Sequence, residues 1–298
     1  MASLSVPEAV SLADRHYVIA SDGQSAPSIP HSESSAAVDV PAVYLQGARL
    51  NAITEQHCIE LILGSLDAQR GGSVNTMNLD HVRRFVQDKN FAALYDKASI
   101  VTADGMPLIW ASSLRGTPLP ERVTGSSLIL SVTAAAVQRG RSIFLLGGTP
   151  GTAQKAANVL ARRYPSLRIT GVSSKPDKFT AEESDWQLIG EMLSAAKPDI
   201  VFVALSCPRQ EKLIDALRHT LPAAWWIGVG NAFSFVAGTV PRAPLWMQQA
   251  GLEWFHRLLK EPRRLARRYL IQGLPFAVTL FRTAARERFS IQRNLRKP

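Results

Sequence analysis

Short runs of continuous apolar residues alternate, through the middle of the chain, with longer stretches of helical period. The runs are Ser99–Thr102, Ser142–Leu146, Ile200–Leu205 and Trp225–Val229. They lack the in-and-out alternation of a sheet with one wet face, so they predict parallel strands covered on both sides. Between them, Ile53–Gln69, Ala153–Tyr164 and Glu182–Ala196 place apolar residues at spacings of three and four, which predicts helices.

Strands alternating with helices of this length imply βαβ units. The expected fold is α/β: a Rossmann-like, doubly wound, mostly parallel sheet with a helical C-terminal appendage. Residues 1–42 are rich in Ser, Ala, Pro and Asp without a sustained period and read as a disordered N-terminal extension. Residues 43–240 are then the α/β domain, and 241–298 the appendage. From Leu245 onward the pattern is helical, with Pro262 interrupting or starting a helix.

Charge separates the two parts. From His256 to the end, twelve Lys and Arg stand against Glu261 and Glu287, so this segment carries the whole formal net charge of +10. Its arginines are interleaved with Leu265, Tyr269, Leu270, Ile271 and Leu274. A basic stretch studded with bulky apolar residues suits the headgroup layer of an anionic membrane. A phosphorylated substrate or a nucleic acid is the other kind of anionic partner. No apolar run is long enough to span a bilayer, and the N-terminus lacks the basic-then-apolar pattern of a secretory signal. The two cysteines, Cys58 and Cys207, are too few for a disulfide framework or a structural zinc site, which suits a reducing cytoplasm.

In a doubly wound sheet, ligands bind beyond the carboxyl ends of the strands. Four such ends carry polar or glycine-rich punctuation: Thr76-Met77-Asn78, Asp104-Gly105, Gly147-Gly148-Thr149-Pro150-Gly151 and Ser206-Cys207-Pro208-Arg209-Gln210-Glu211. The glycine turn either brings backbone amides and a helix N-terminus to a phosphate or simply turns tightly. Asp104 either accepts a proton from a hydroxyl nucleophile or caps the next helix. Arg122 either clamps a phosphate or pairs at the surface. Thr76 and Asn78 are both common turn residues. The six histidines show no ligand spacing and no Asp-x-Asp is present, so no metal and no other cofactor is expected.

Taken in order, several segments resemble the WecG/TagA/CpsF family of bacterial glycosyltransferases (glycosyltransferase family 26). They are Thr76-Met77-Asn78-Leu79-Asp80-His81, Val101-Thr102-Ala103-Asp104-Gly105-Met106-Pro107-Leu108, Glu121-Arg122-Val123-Thr124-Gly125, Leu145-Leu146-Gly147-Gly148, Pro208-Arg209-Gln210-Glu211, Arg242-Ala243-Pro244 and Gly251-Leu252-Glu253-Trp254-Phe255-His256-Arg257-Leu258. The resemblance spans roughly residues 45–270.

It implies inverting, metal-independent transfer of a sugar from a UDP-sugar to a polyprenyl-diphosphate-linked saccharide. The setting it implies is exopolysaccharide or other cell-surface polysaccharide synthesis, peripheral to the cytoplasmic face of the bacterial inner membrane. Asp104 becomes the general base. Thr76, Asn78, Arg122 and Gln210 become substrate-binding residues, and the appendage supplies Arg257, Arg264 and Arg267. Gly147, Gly148 and Ser234 are expected at the nucleotide. An appendage of this kind can also complete a neighbour's site, which leaves a homo-oligomer open.

Two positions depart from the family pattern. Ser206 stands where a Gly is usual, and Ser234, in Gly230-Asn231-Ala232-Phe233-Ser234-Phe235, stands where a carboxylate is usual. They lean the donor towards glucose, against N-acetylmannosamine or its uronic acid. Two other classes are weighed against this reading. A nucleic-acid-binding module fits poorly, because the tail mixes arginines with aliphatics and no such motif is present. A nucleotide-dependent oxidoreductase lacks its Gly-x-Gly-x-x-Gly.

Overall fold

The computed structural model describes residues 40–174 and 183–295. The expected N-terminal extension lies outside them up to residue 39. The described chain starts with an antiparallel hairpin, β1 (Ala42–Leu45) and β2 (Ala48–Asn51), joined by Gln46 and Gly47, both at positive φ. Paired positive φ values match the twist of a two-residue hairpin.

Then come α1 (Glu55–Asp67), β3 (Gly72–Met77), α2 (Leu79–Gln87), α3 (Lys89–Asp96), β4 (Ile100–Ala103), α4 (Met106–Arg115) and α5 (Gly125–Gln138). Next are β5 (Ser142–Gly147), α6 (Thr152–Arg163), β6 (Arg168–Ser173), α7 (Glu183–Ala196), β7 (Ile200–Ala204), α8 (Arg209–Leu217), β8 (Trp225–Gly228) and α9 (Ala232–Val236). The tail adds α10 (Leu245–Gln249), α11 (Glu253–Lys260), α12 (Pro262–Ala266), a π-helical turn (Arg267–Gly273) and α13 (Leu274–Leu295). Pro262 starts α12 rather than interrupting a helix, the position where its missing N–H costs nothing.

Strands β3 to β8 form one parallel six-stranded sheet in the order β4-β3-β8-β7-β5-β6. The α/β, Rossmann-like expectation is met. All four runs read as buried strands, β4, β5, β7 and β8, are buried at every position. Successive side chains serve opposite faces. Ile200 and Phe202 pack with α1, α5 and α6, through residues such as Ile62, Leu128 and Leu160. Val201 and Val203 pack with Leu193 of α7 and Leu213 of α8.

The tail is helical as expected, but α13 is built into the core. Leu280 and Ala284 are buried in one cluster with Phe91, Val101 and Leu108, and Glu287 pairs with Arg115 of α4. No helix among the described residues is long and apolar enough to cross a membrane.

Candidate active site

Asp104 follows β4 directly, its amide donating to the Met77 carbonyl of the neighbouring strand at 2.7 Å. It does not cap α4: Gly105 occupies the N-cap and no side chain caps that helix. The Asp104 carboxylate instead accepts from the Gly125 amide in the first turn of α5. Gly125 is required there, because a Cβ would lie 2.8 Å from the Val229 backbone. The close approach thus brings the positive end of a helix to the carboxylate.

Burial raises the Asp104 carboxyl above its ordinary value. The guanidiniums of Arg122 and Arg257 oppose that rise, and the Glu253 carboxylate adds to it. Arg122 precedes α5, while Glu253 and Arg257 lie one turn apart on α11. Positions four apart share a helix face. That face of α11 is turned to the crevice, while Phe255 and Leu259 are exposed. Glu253 also bridges two arginines, with Oε2 3.4 Å from Arg122 Nη1 and Oε1 3.5 Å from Arg242 Nε.

Thr76 and Asn78 end β3 beside Asp104. Thr76 is buried opposite Thr102 in the parallel register. Its carbonyl is held from behind by His81 Nδ1 at 3.0 Å and by the Tyr95 hydroxyl at 3.1 Å. Tyr95 also meets His81 Nδ1 at 3.0 Å, and its hydroxyl oxygen lies 3.4 Å from Glu211 Oε1. Burial disfavours charge throughout this group: it pushes His81 down to about 4 and raises Tyr95 and Glu211 above their ordinary values. Asn78 caps α2, its Oδ1 accepting from the amides of Asp80 and His81.

Gln210 is buried beneath the end of β8, where its Oε1 accepts from the Gly230 amide at 2.8 Å. A Cβ on Gly228 would lie 2.3 Å from Gln210 Nε2, so that glycine makes the room. Gln210 therefore fixes the loop that carries Asn231. Ser234 is buried, with its hydroxyl on Asn231 Oδ1 at 3.0 Å.

Gly147 and Gly148 both sit at positive φ. A Cβ on Gly148 would meet Thr152 Oγ1 at 2.5 Å, so this turn is tight as well as rich in backbone amides.

Of the three tail arginines expected at the site, Arg257 is there. Arg267 is exposed and is not among the charges that act on Asp104. The side chain of Arg264 lies outside the described residues. Arg268 is the residue that ties the π-helical turn to the core, reaching Asp80 Oδ2 at 3.1 Å. Burial works against ionised Asp80, but Arg268 and Arg83 outweigh it and hold that carboxyl low.

Sequence reasoning assigned no role to Glu253, Arg242, Gly125 or the His81–Tyr95–Glu211 group. The available signal for Glu253 was its place four positions before Arg257 in the Gly251–Leu258 motif. Among the described residues, no three His, Cys, Asp or Glu side chains are grouped to hold a metal ion.

The profile of the Glycosyl transferase WecG/TagA/CpsF family matches residues 43–290. The N-acetylglucosaminyldiphosphoundecaprenol N-acetyl-beta-D-mannosaminyltransferase of Bacillus subtilis (strain 168) is 30% identical over 202 residues, covering 68% of this chain and 77% of the relative. The protein of the same name from Bacillus spizizenii (strain ATCC 23059 / NRRL B-14472 / W23) is 31% identical over 202 residues, covering 68% of this chain and 76% of the relative. The chain belongs to the WecG/TagA/CpsF family of glycosyltransferases.

Proposed function

We propose that the chain transfers a sugar from a UDP-sugar to a polyprenyl-diphosphate-linked saccharide, with inversion and with Asp104 as general base. The carrying observation is the Asp104 carboxyl, raised by burial and set between the α5 N-terminus, Arg122 and Arg257 at the carboxyl end of the sheet. A sugar hydroxyl is a poor nucleophile near neutral pH. As its oxygen bonds to the anomeric carbon, its proton passes to Asp104 and UDP leaves with the electron pair of the broken bond. A raised carboxyl is a stronger base than an ordinary one. The charge that gathers on UDP falls to guanidiniums and backbone amides already in place.

Thr76 and Asn78 line the pocket beside Asp104, and Gln210, Gly147, Gly148 and Ser234 shape the nucleotide side. Arg257 is the tail arginine that faces the phosphates of the bound substrates. The product is a lipid-linked intermediate of exopolysaccharide or another cell-surface polysaccharide.

The donor is glucose, N-acetylmannosamine or its uronic acid. The names of the relatives favour N-acetylmannosamine and an N-acetylglucosamine-bearing acceptor. The argument for glucose weakens at Ser234, whose hydroxyl is committed to Asn231.

In this reading the protein works peripherally at the cytoplasmic face of the inner membrane, where it meets its lipid-linked acceptor. The outward Phe255 and Leu259, with the exposed Leu270, Ile271 and Leu274, support that placement. The test is a panel of the three UDP-sugars against lipid-diphosphate-glucose and lipid-diphosphate-N-acetylglucosamine, read by mass spectrometry. One donor–acceptor pair is expected to give a product one sugar heavier; no product from any pair would sink the proposal.

A further inference from the structure

We infer that Arg122 and Arg242 form a two-arginine seat for a substrate diphosphate, and that the Glu253 carboxylate holds the seat until the diphosphate displaces it. The inference rests on the glycosyltransferase reading for the identity of the ligand. Its geometry stands separately.

One carboxylate divides its two oxygens between guanidiniums from two different loops, at 3.4 Å and 3.5 Å. Charge-assisted N–H···O bonds close to about 2.7–2.9 Å when they are satisfied. Here Arg242 Nε is buried and makes no hydrogen bond in spite of the ion pair. The two arginines thus offer more donors, at a wider spacing, than one carboxylate fills. A diphosphate has two linked anionic centres, more acceptor oxygens and more charge. With Asp104 and Arg257 included, three cations face two carboxylates, so the seat stays positive even while Glu253 fills it.

Glu253 stands in the first turn of α11. Rotation about its own side-chain torsions clears the seat without unfolding that helix. The entering diphosphate then takes both guanidiniums. Arg242 therefore joins Arg122 as a substrate-binding residue, and Glu253 is a gatekeeper rather than a catalytic residue.

The diphosphate belongs to the UDP-sugar or to the prenyl carrier, so titration calorimetry of the full chain with UDP and with farnesyl diphosphate separates the sources. Glu253→Gln is expected to tighten one of the two by about two- to fivefold, the range set by partly exposed ion pairs. Arg242→Gln is expected to weaken the same ligand by about tenfold, as for loss of a hydrogen bond to a charged group. The inference is overturned if Glu253→Gln weakens both ligands or leaves both unchanged. It is equally overturned if Arg242→Gln has no effect, or if the unaltered chain binds neither probe. Asp104→Asn separates the two readings: lost transfer with retained UDP binding upholds the base, whichever way Glu253→Gln comes out.

Discussion

Acidification should unfold this protein partly through a single buried imidazole. His81 packs between Phe91 and Tyr95 with its Nδ1 on the Thr76 carbonyl, and burial holds it down to about 4 from an ordinary 6.5. In the unfolded chain it protonates at the ordinary value. A group depressed in the folded state contributes stability that is present above the unfolded value and lost as pH falls towards the folded one. The gap between the two values corresponds to about 3 kcal/mol, of which about 2 kcal/mol is gone by about pH 5. Asp104 and Glu211, both raised by burial, act in the opposite sense, so the total pH dependence does not isolate His81.

The comparison that does isolate it is with His81→Gln, which cannot titrate. Urea midpoints followed by the fluorescence of the buried Trp225 and Trp226 at about pH 7.5 and about pH 5 give the difference. The unaltered protein should lose about 2 kcal/mol more than the variant over that interval. Parallel losses would show that His81 is not held neutral, and would remove the rigid backing proposed for Thr76.

Two further outcomes follow from the charges around Asp104 and from the outward face of α11. Because the base must be ionised, activity is present above the Asp104 value and lost as pH falls through it. Glu253 raises that value and Arg122 lowers it, so the acid limb should move to lower pH in Glu253→Gln and to higher pH in Arg122→Gln; limbs that coincide with the unaltered enzyme would place those charges elsewhere. The double change Phe255→Ser with Leu259→Ser should weaken binding to anionic vesicles by at least about tenfold while leaving UDP affinity unchanged. Equal vesicle binding would move the membrane contact off α11.

The sheet was legible in the sequence because its central strands are covered on both faces. At Ile200–Ala204 burial is complete and the run is continuously apolar, whereas β3, buried from Ser73 to Met77, hides behind the polar Ser73, Asn75 and Thr76. The edge strand β6 carries no such signature: Arg168–Ser173 is exposed or half-buried throughout. The β1–β2 hairpin is equally quiet, since Gln46 holds a positive φ that its side chain does not announce.

Asp104 was ambiguous locally for a physical reason. An Asp before a helix is as good a cap as a base, and the groups that surround its carboxylate, a Gly125 amide and an α11 carboxylate, are far away in sequence. The group behind Thr76 was invisible for the same reason: Tyr95 and Glu211 are 116 positions apart, and each alone is an ordinary helix residue. Arg267 was expected at the site from its motif, whereas helical phase turns it to solvent and gives Arg268 the inward position.

The most direct test of the account is single-turnover sugar transfer by Asp104→Asn, measured beside UDP binding. Asparagine keeps an oxygen that can accept from the Gly125 amide, so the crevice should hold its shape while the base is gone. The account predicts a fall in the transfer rate of about 10²- to 10⁴-fold with UDP affinity retained. Transfer within a few-fold of the unaltered rate would contradict it, and another group would have to take the proton.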